Sequence, residues 1–176
     1  PLNAPLLPQL PLSPTISFAG DRFYLARSQG AVAVTTGAEP WNLNTLQTSG
    51  AFAAFAFGNG KWIGSIEANS IRQSADGRQF DLIETAQPGP ISLVFQDGEF
   101  LGAGPRLVRS GADGSWPVQT ALDVNSVAKA GGIAIAVGAN GKIYRSVDYG
   151  PFTSVASGTT TTLNGVAYGN GKFVAV

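Results

Sequence analysis

Arg109 and Arg145 stand at the same place in successive repeats of this 176-residue chain, each one residue before a serine. Guanidinium groups from neighbouring repeats could clamp an anion. The same row also reads as a solvated strand face, and Arg72 lies one place off it. Tyr149, on an expected turn, is the aromatic best placed to stack on a sugar or touch a ligand. Glycoside hydrolysis needs two carboxylates at a set separation. Asp21, Glu67, Asp97, Glu99 and Asp123 are candidates, and nothing in their spacing selects a pair. What is missing excludes more. The chain has no His and no Cys, which removes imidazole bases, thiolate nucleophiles, disulfides and nearly all zinc, copper and haem chemistry. No cofactor or metal site is expected, and the reading is non-enzymatic.

Charged residues are scarce, at 12%, with eleven acids against eleven bases; an average soluble domain carries roughly 25%. A neutral chain has no long-range field to gather nucleic acid or anionic lipid, so neither is an expected partner. There is no run of about 18 apolar residues to span a membrane, and no basic segment of a signal peptide at the start. Methionine is absent even at position 1, which points to a chain that is processed, excised or part of a longer polypeptide.

The elements that position the candidate residues follow from the punctuation. Twenty-three glycines and scattered prolines separate short apolar runs, the pattern of strands and tight turns. A hydroxyl six places before an aromatic recurs as Thr35/Trp41, Ser74/Phe80, Ser110/Trp116 and Ser146/Phe152, the hydroxyls being 39, 36 and 36 residues apart. A second column follows the glycine turns: Phe23, Trp62, Phe100 and Phe173, with Ile133 standing in for the fourth unit. Asn59-Gly60, Asp97-Gly98 and Asn170-Gly171 are dipeptides suited to two-residue hairpin turns. Each unit holds four apolar runs; in the second they are 51–57, 61–66, 70–74 and 80–84. Four strands in a period near 36–40 residues is the signature of a β-propeller blade.

The expected fold is therefore all-β, a propeller of four-stranded antiparallel blades. The blades fall at about 15–50, 51–90, 91–124 and 125–162, with a partial one at 163–176. About four and a half blades require either a longer ring in one chain or a ring completed by copies. The first strands, rich in Ala, Gly and Ser, suit the crowded inner edge. Residues 1–14, with five prolines among leucines, read as a linker or as a strap along an apolar groove. All three tryptophans fall in repeat columns and are expected in the core.

Ser146-Val-Asp148-Tyr-Gly150-Pro-Phe152 resembles the Asp-box, or bacterial neuraminidase repeat, whose pattern is Ser-x-Asp-x-Gly-x-x-Trp. Ser74-Ala-Asp76-Gly77 and Ser110-Gly-Ala-Asp113-Gly114-Ser-Trp116 are looser copies. The aromatic comes one place early in the Ser146 copy, and the first unit has no Asp. The glycine turns are also similar to those of photosystem II stability/assembly-factor-like propellers and of propeller modules in secreted bacterial and bacteriophage tail proteins. A structural role is expected for the repeated residues. The Asp accepts backbone N–H groups in the turn between third and fourth strands, the Ser satisfies a neighbouring turn group, and the aromatic packs between blades. A sialidase would need three arginines around a carboxylate, a tyrosine nucleophile with a glutamate base, and a Phe-Arg-Ile-Pro-like motif that this chain lacks.

Composition and resemblance together favour a non-catalytic module in an extracellular assembly or virion, foremost a bacteriophage tail or tail-fibre component. Its partners would be other protein subunits and a cell-surface glycan or protein receptor. The alternatives are a protein-binding assembly factor of the photosystem-associated type, and a sialidase-class glycosidase with residues outside this segment.

Overall fold

The computed structural model describes residues 15–19, 22–26, 31–35, 42–45, 52–66, 70–76, 79–84, 89–120, 122–148 and 150–176. The proline-rich stretch 1–14, Trp41 and Tyr149 lie outside them. Eighteen strands are described, grouped into sheets in chain order. Blade 1 holds β1 (Thr15–Ala19), β2 (Arg22–Ala26), β3 (Ala31–Thr35) and β4 (Asn42–Thr45). Blade 2 holds β5 (Phe52–Gly58), β6 (Lys61–Ile66), β7 (Ser70–Ser74) and β8 (Asp81–Glu84). Blade 3 holds β9 (Ser92–Gln96), β10 (Glu99–Ala103), β11 (Leu107–Arg109) and β12 (Val118–Thr120). Blade 4 holds β13 (Ser126–Ala130), β14 (Ile133–Val137), β15 (Ile143–Val147) and β16 (Thr153–Val155), and β17 (Val166–Gly169) pairs with β18 (Lys172–Ala175) in a fifth sheet.

Every strand pair is antiparallel and joins neighbours in sequence. The first strands of successive sheets pack beside one another, β1 by β5, β5 by β9, β9 by β13 and β13 by β17. That places them along a common inner edge, where alanines such as Ala54, Ala56 and Ala128 leave room for close approach. The hairpin turns between first and second strands take positive φ at both central residues: 48° and 70° at Asn59-Gly60, 50° and 82° at Asp97-Gly98, 56° and 78° at Gly131-Gly132. This is the primed turn whose twist matches the flanking strands.

Because side chains alternate along a strand, each blade offers one face to the blade before it and the other to the blade after it. Phe100, Val108 and Trp116 of blade 3 meet Ala56, Ile63 and Ile71 of blade 2. Leu101, Ala103 and Leu107 meet Val127, Ala134 and Ala136 of blade 4. Phe52, Phe55, Trp62 and Phe80 of blade 2 cluster with Tyr24 of blade 1, and the Tyr24 and Trp62 rings meet edge-on at 4.3 Å. The core is thus a series of seams, each burying several side chains worth about 1.5–3 kcal/mol apiece. At the end opposite the hairpins, main-chain bonds tie the seams: Val124 N–H donates to Gly104 O (3.0 Å) and Leu163 N–H to Gly138 O (3.1 Å).

The register revises one expected column. Trp62 lies opposite Ser74, Phe23 opposite Thr35, and Ala134 opposite Ser146, whereas Ile133 faces Val147. Ala134, not Ile133, holds the aromatic place in blade 4. The Gly131-Gly132 turn occupies both central positions, so β14 begins at Ile133 and its next residue takes that register.

Candidate functional site

Antiparallel order brings two kinds of turn to one end of each blade, the first-to-second hairpin and the third-to-fourth connection that carries the serine–aspartate motifs. On this turn face the hairpins follow a rule. The residue pair flanking the turn by one place is Phe57/Trp62 in blade 2, Phe95/Phe100 in blade 3 and Tyr168/Phe173 at β17–β18. Their ring centroids lie 4.7, 4.7 and 4.9 Å apart. In blade 4 the pair is Lys129/Ala134. The residue immediately after the turn is basic in three copies (Arg22, Lys61 and Lys172) but is Glu99 in blade 3 and Ile133 in blade 4. Lys129 and Glu99 meet in space. Lys129, only 2% exposed, donates from Nζ to Glu99 Oε1 and lies 3.8 Å from Asp97 Oδ2. Arg109 Nε lies 3.3 Å from Glu99 Oε2. A buried ammonium is tolerated only with such partners. Two acids from blade 3 are thereby neutralised by one cation from blade 3 and one from blade 4.

One seam earlier, a cavity of about 430 Å³ lies at the turn face. Asn59, Lys61, Gln73 and Ile83 of blade 2 line one side, and Asp97, Glu99, Ser110 and Gly111 of blade 3 the other. Asn59 Nδ2 donates to Gly98 O across the seam at 3.0 Å. Phe95 stands in the register place that Lys129 holds in blade 4, and its ring lies directly against the backbone of Gly58, where a Cβ would collide with it. Lys61 is half-buried and forms no ion pair among the described residues. A second, more open hollow of about 640 Å³ lies on the opposite end, beside Asn140–Lys142 and 154–160.

The motif residues take up turn positions. Ser74 Oγ donates to Asp76 Oδ1 at 3.0 Å, and the same oxygen accepts the Gln79 N–H at 3.3 Å. Asp113 Oδ1 accepts the Ser115 N–H at 3.0 Å. The Ser115 hydroxyl first, and its N–H second, hold the Asp113 carboxyl below the usual carboxylate range. Ser110 Oγ accepts the Phe100 N–H at 3.0 Å. Ser146 Oγ donates to Gly150 O at 2.6 Å, while Asp148, at φ 46°, donates its N–H to Gly132 O. Phe80 and Trp116 are buried and Phe152 is half-buried, each on the face turned to the preceding blade.

Arg109 and Arg145 share a register place one blade apart, but they face different seams. Arg109 is engaged by Glu99, whereas Arg145 is exposed and forms no ion pair among the described residues. Asp97 and Glu99 come together at Lys129. Asp123 is exposed, and Asp21 and Glu67 lie outside the described residues. Among the described residues, no three His, Cys, Asp or Glu side chains gather as a metal site, and no helix is long and apolar enough to cross a membrane. Sequence reasoning missed Lys129 and Lys61; the signal was there in the broken aromatic pair and in the charge reversal at Glu99.

No family model and no curated protein sequence matches the chain. Solved structures do. The WD40 β-propeller domain of Doa1 superposes with a TM-score of 0.72 at 11% identity, over 92% of this chain and 60% of that one. The fold is a β-propeller. The computationally designed Ika8 protein gives 0.68 at 14% identity, over 91% of this chain and 54% of that one. YCF48, solved bound to a D1 peptide, gives 0.63 at 15%, over 90% and 58%. The propeller described here thus spans between half and two thirds of the length of these neighbours.

Proposed function

We propose that this propeller is a non-catalytic binding module that engages another protein through its turn face, as a structural or recognition part of an extracellular assembly such as a bacteriophage tail or tail fibre. The observation that carries this reading is the cavity at the seam of blades 2 and 3, where Lys61 has no ion pair among the described residues while the adjoining acids are paired with Lys129 and Arg109. A site with a cation unpaired among the described residues and several amide and hydroxyl groups is equipped to hold a ligand, and the described residues place no nucleophile–base pair beside it. The low charge and the absence of His and Cys support the extracellular assignment. That one structural neighbour is described with a peptide bound favours a polypeptide ligand, as in the assembly-factor alternative. The sialidase alternative is weakened by Glu99, which occupies Arg109.

The test exposes the full chain to a library of linear peptides and to a glycan array, with a fluorogenic sialoside assayed in parallel. Stoichiometric retention of peptides without turnover is expected. Sialoside hydrolysis abolished by both Arg109→Ala and Arg145→Ala would overturn the reading, as would retention of glycans alone.

A further inference from the structure

The turn face contains its own internal comparison. In the seam of blades 3 and 4, the register place after the hairpin turn holds a carboxylate, Glu99. It is gripped by Arg109 from the third strand and by Lys129 from the next blade, with Asp97 alongside. In the seam of blades 2 and 3 the corresponding residues are Lys61, Gln73, Phe95 and Asn59. The charge sign at the central place is reversed, Asn59 and Gln73 are neutral, Phe95 takes the place that Lys129 holds in the next seam, and beside them lies a cavity that Asp97 and Glu99 also line. Glu99 is ion-paired in one seam, whereas Lys61 forms no ion pair among the described residues in the other.

We propose that the cavity between blades 2 and 3 takes an acidic side chain, Asp or Glu, from a partner polypeptide, with Lys61 as its counter-ion and Asn59, Gln73 and Ser110 as hydrogen-bonding neighbours. With Asp97 and Glu99 compensated by Lys129 and Arg109, a single carboxylate matches the Lys61 ammonium, whereas a phosphate dianion would bring a second charge with no cation of this site to meet it. Ile83 on the wall suits an apolar residue next to the acid. This deepens the protein-binding reading and rests on it.

The experiment titrates the capped peptide acetyl-Gly-Leu-Glu-Leu-Gly-amide into the ¹⁵N-labelled full chain, with the Gln counterpart and free N-acetylneuraminic acid as controls. Saturable amide shifts at 59–61, 97–99 and 110–111 are expected for the Glu peptide. Affinity should fall at least tenfold in Lys61→Gln and with the Gln peptide, and be restored by Lys61→Arg. Undiminished binding to Lys61→Gln, no saturable shift in the wild type, or saturation by N-acetylneuraminic acid with the Glu peptide inert would each overturn the proposal. If library peptides from the preceding test bind wild type and Lys61→Gln alike, this inference fails while the protein-binding reading stands. If no library peptide binds either, both fail.

Discussion

Lys129 brings a full charge into a seam position that blades 2 and 3 fill with Phe57 and Phe95. A buried ion pair barely repays the desolvation of its members. Removing one member is another matter. Lys129→Ala should leave Glu99 under-compensated and lower the unfolding free energy by about 3 kcal/mol. The double variant Lys129→Met/Glu99→Met should recover a large part of that loss. Urea denaturation of the single and double variants decides; additive losses would contradict the pairing. A second residue-scale expectation concerns Asp113, whose carboxyl is held low by Ser115. Its folded-state pKa lies below the unfolded value of about 3.9. In that window the unfolded chain binds more protons, so stability from this bond is complete above the unfolded pKa and is lost as pH falls through the folded one. A carboxyl-carbon NMR titration should place Asp113 below the ordinary range, and Ser115→Ala should return it towards that range.

At the scale of elements, much was legible. The Asn-Gly and Asp-Gly dipeptides marked the hairpins because few other residues take positive φ at both turn positions. The four apolar runs of the second unit fall on β5 to β8 within a residue or so at each end. The fourth unit was harder, since Gly131-Gly132 gives no side chain to anchor the register and Ile133 resembles the expected core residue more than Ala134 does. Lys129, and its pairing with Glu99, stayed hidden for a related reason. A column of aromatics after the turn draws attention to itself, whereas the cross-strand partner before the turn acquires meaning only once pairing is known. Gly58 is a third case: its role is to let the Phe95 ring of the next blade lie on β5. Gly58→Ala should cost about 1–3 kcal/mol through overpacking, and Phe95→Leu in the same chain should relieve part of it. Thermal unfolding of the two variants tests the contact; equal losses with Phe or Leu at position 95 would refute it.

At the scale of the molecule, stability is distributed over seams, so damage to one should be felt on both sides of it. Trp116 is buried against Ile63 and Ile71 of the preceding blade. Trp116→Ala should cost about 3–5 kcal/mol and raise hydrogen exchange in β6 and β7 as well as in blade 3. Exchange confined to blade 3 would argue against the shared core. The two ends of the blades are chemically unlike. One presents hairpins, the neutralised cluster around Lys129 and the Lys61 cavity; the other presents the 139–141 turn and a Ser- and Thr-rich loop. The most direct measurement is therefore a hydrogen-exchange footprint of the full chain with a peptide retained from the library. Protection concentrated at 59–61, 97–99 and 110–115 is the predicted result. Protection confined to 139–142 and 154–160, or none anywhere, would contradict the assignment of the turn face as the binding surface.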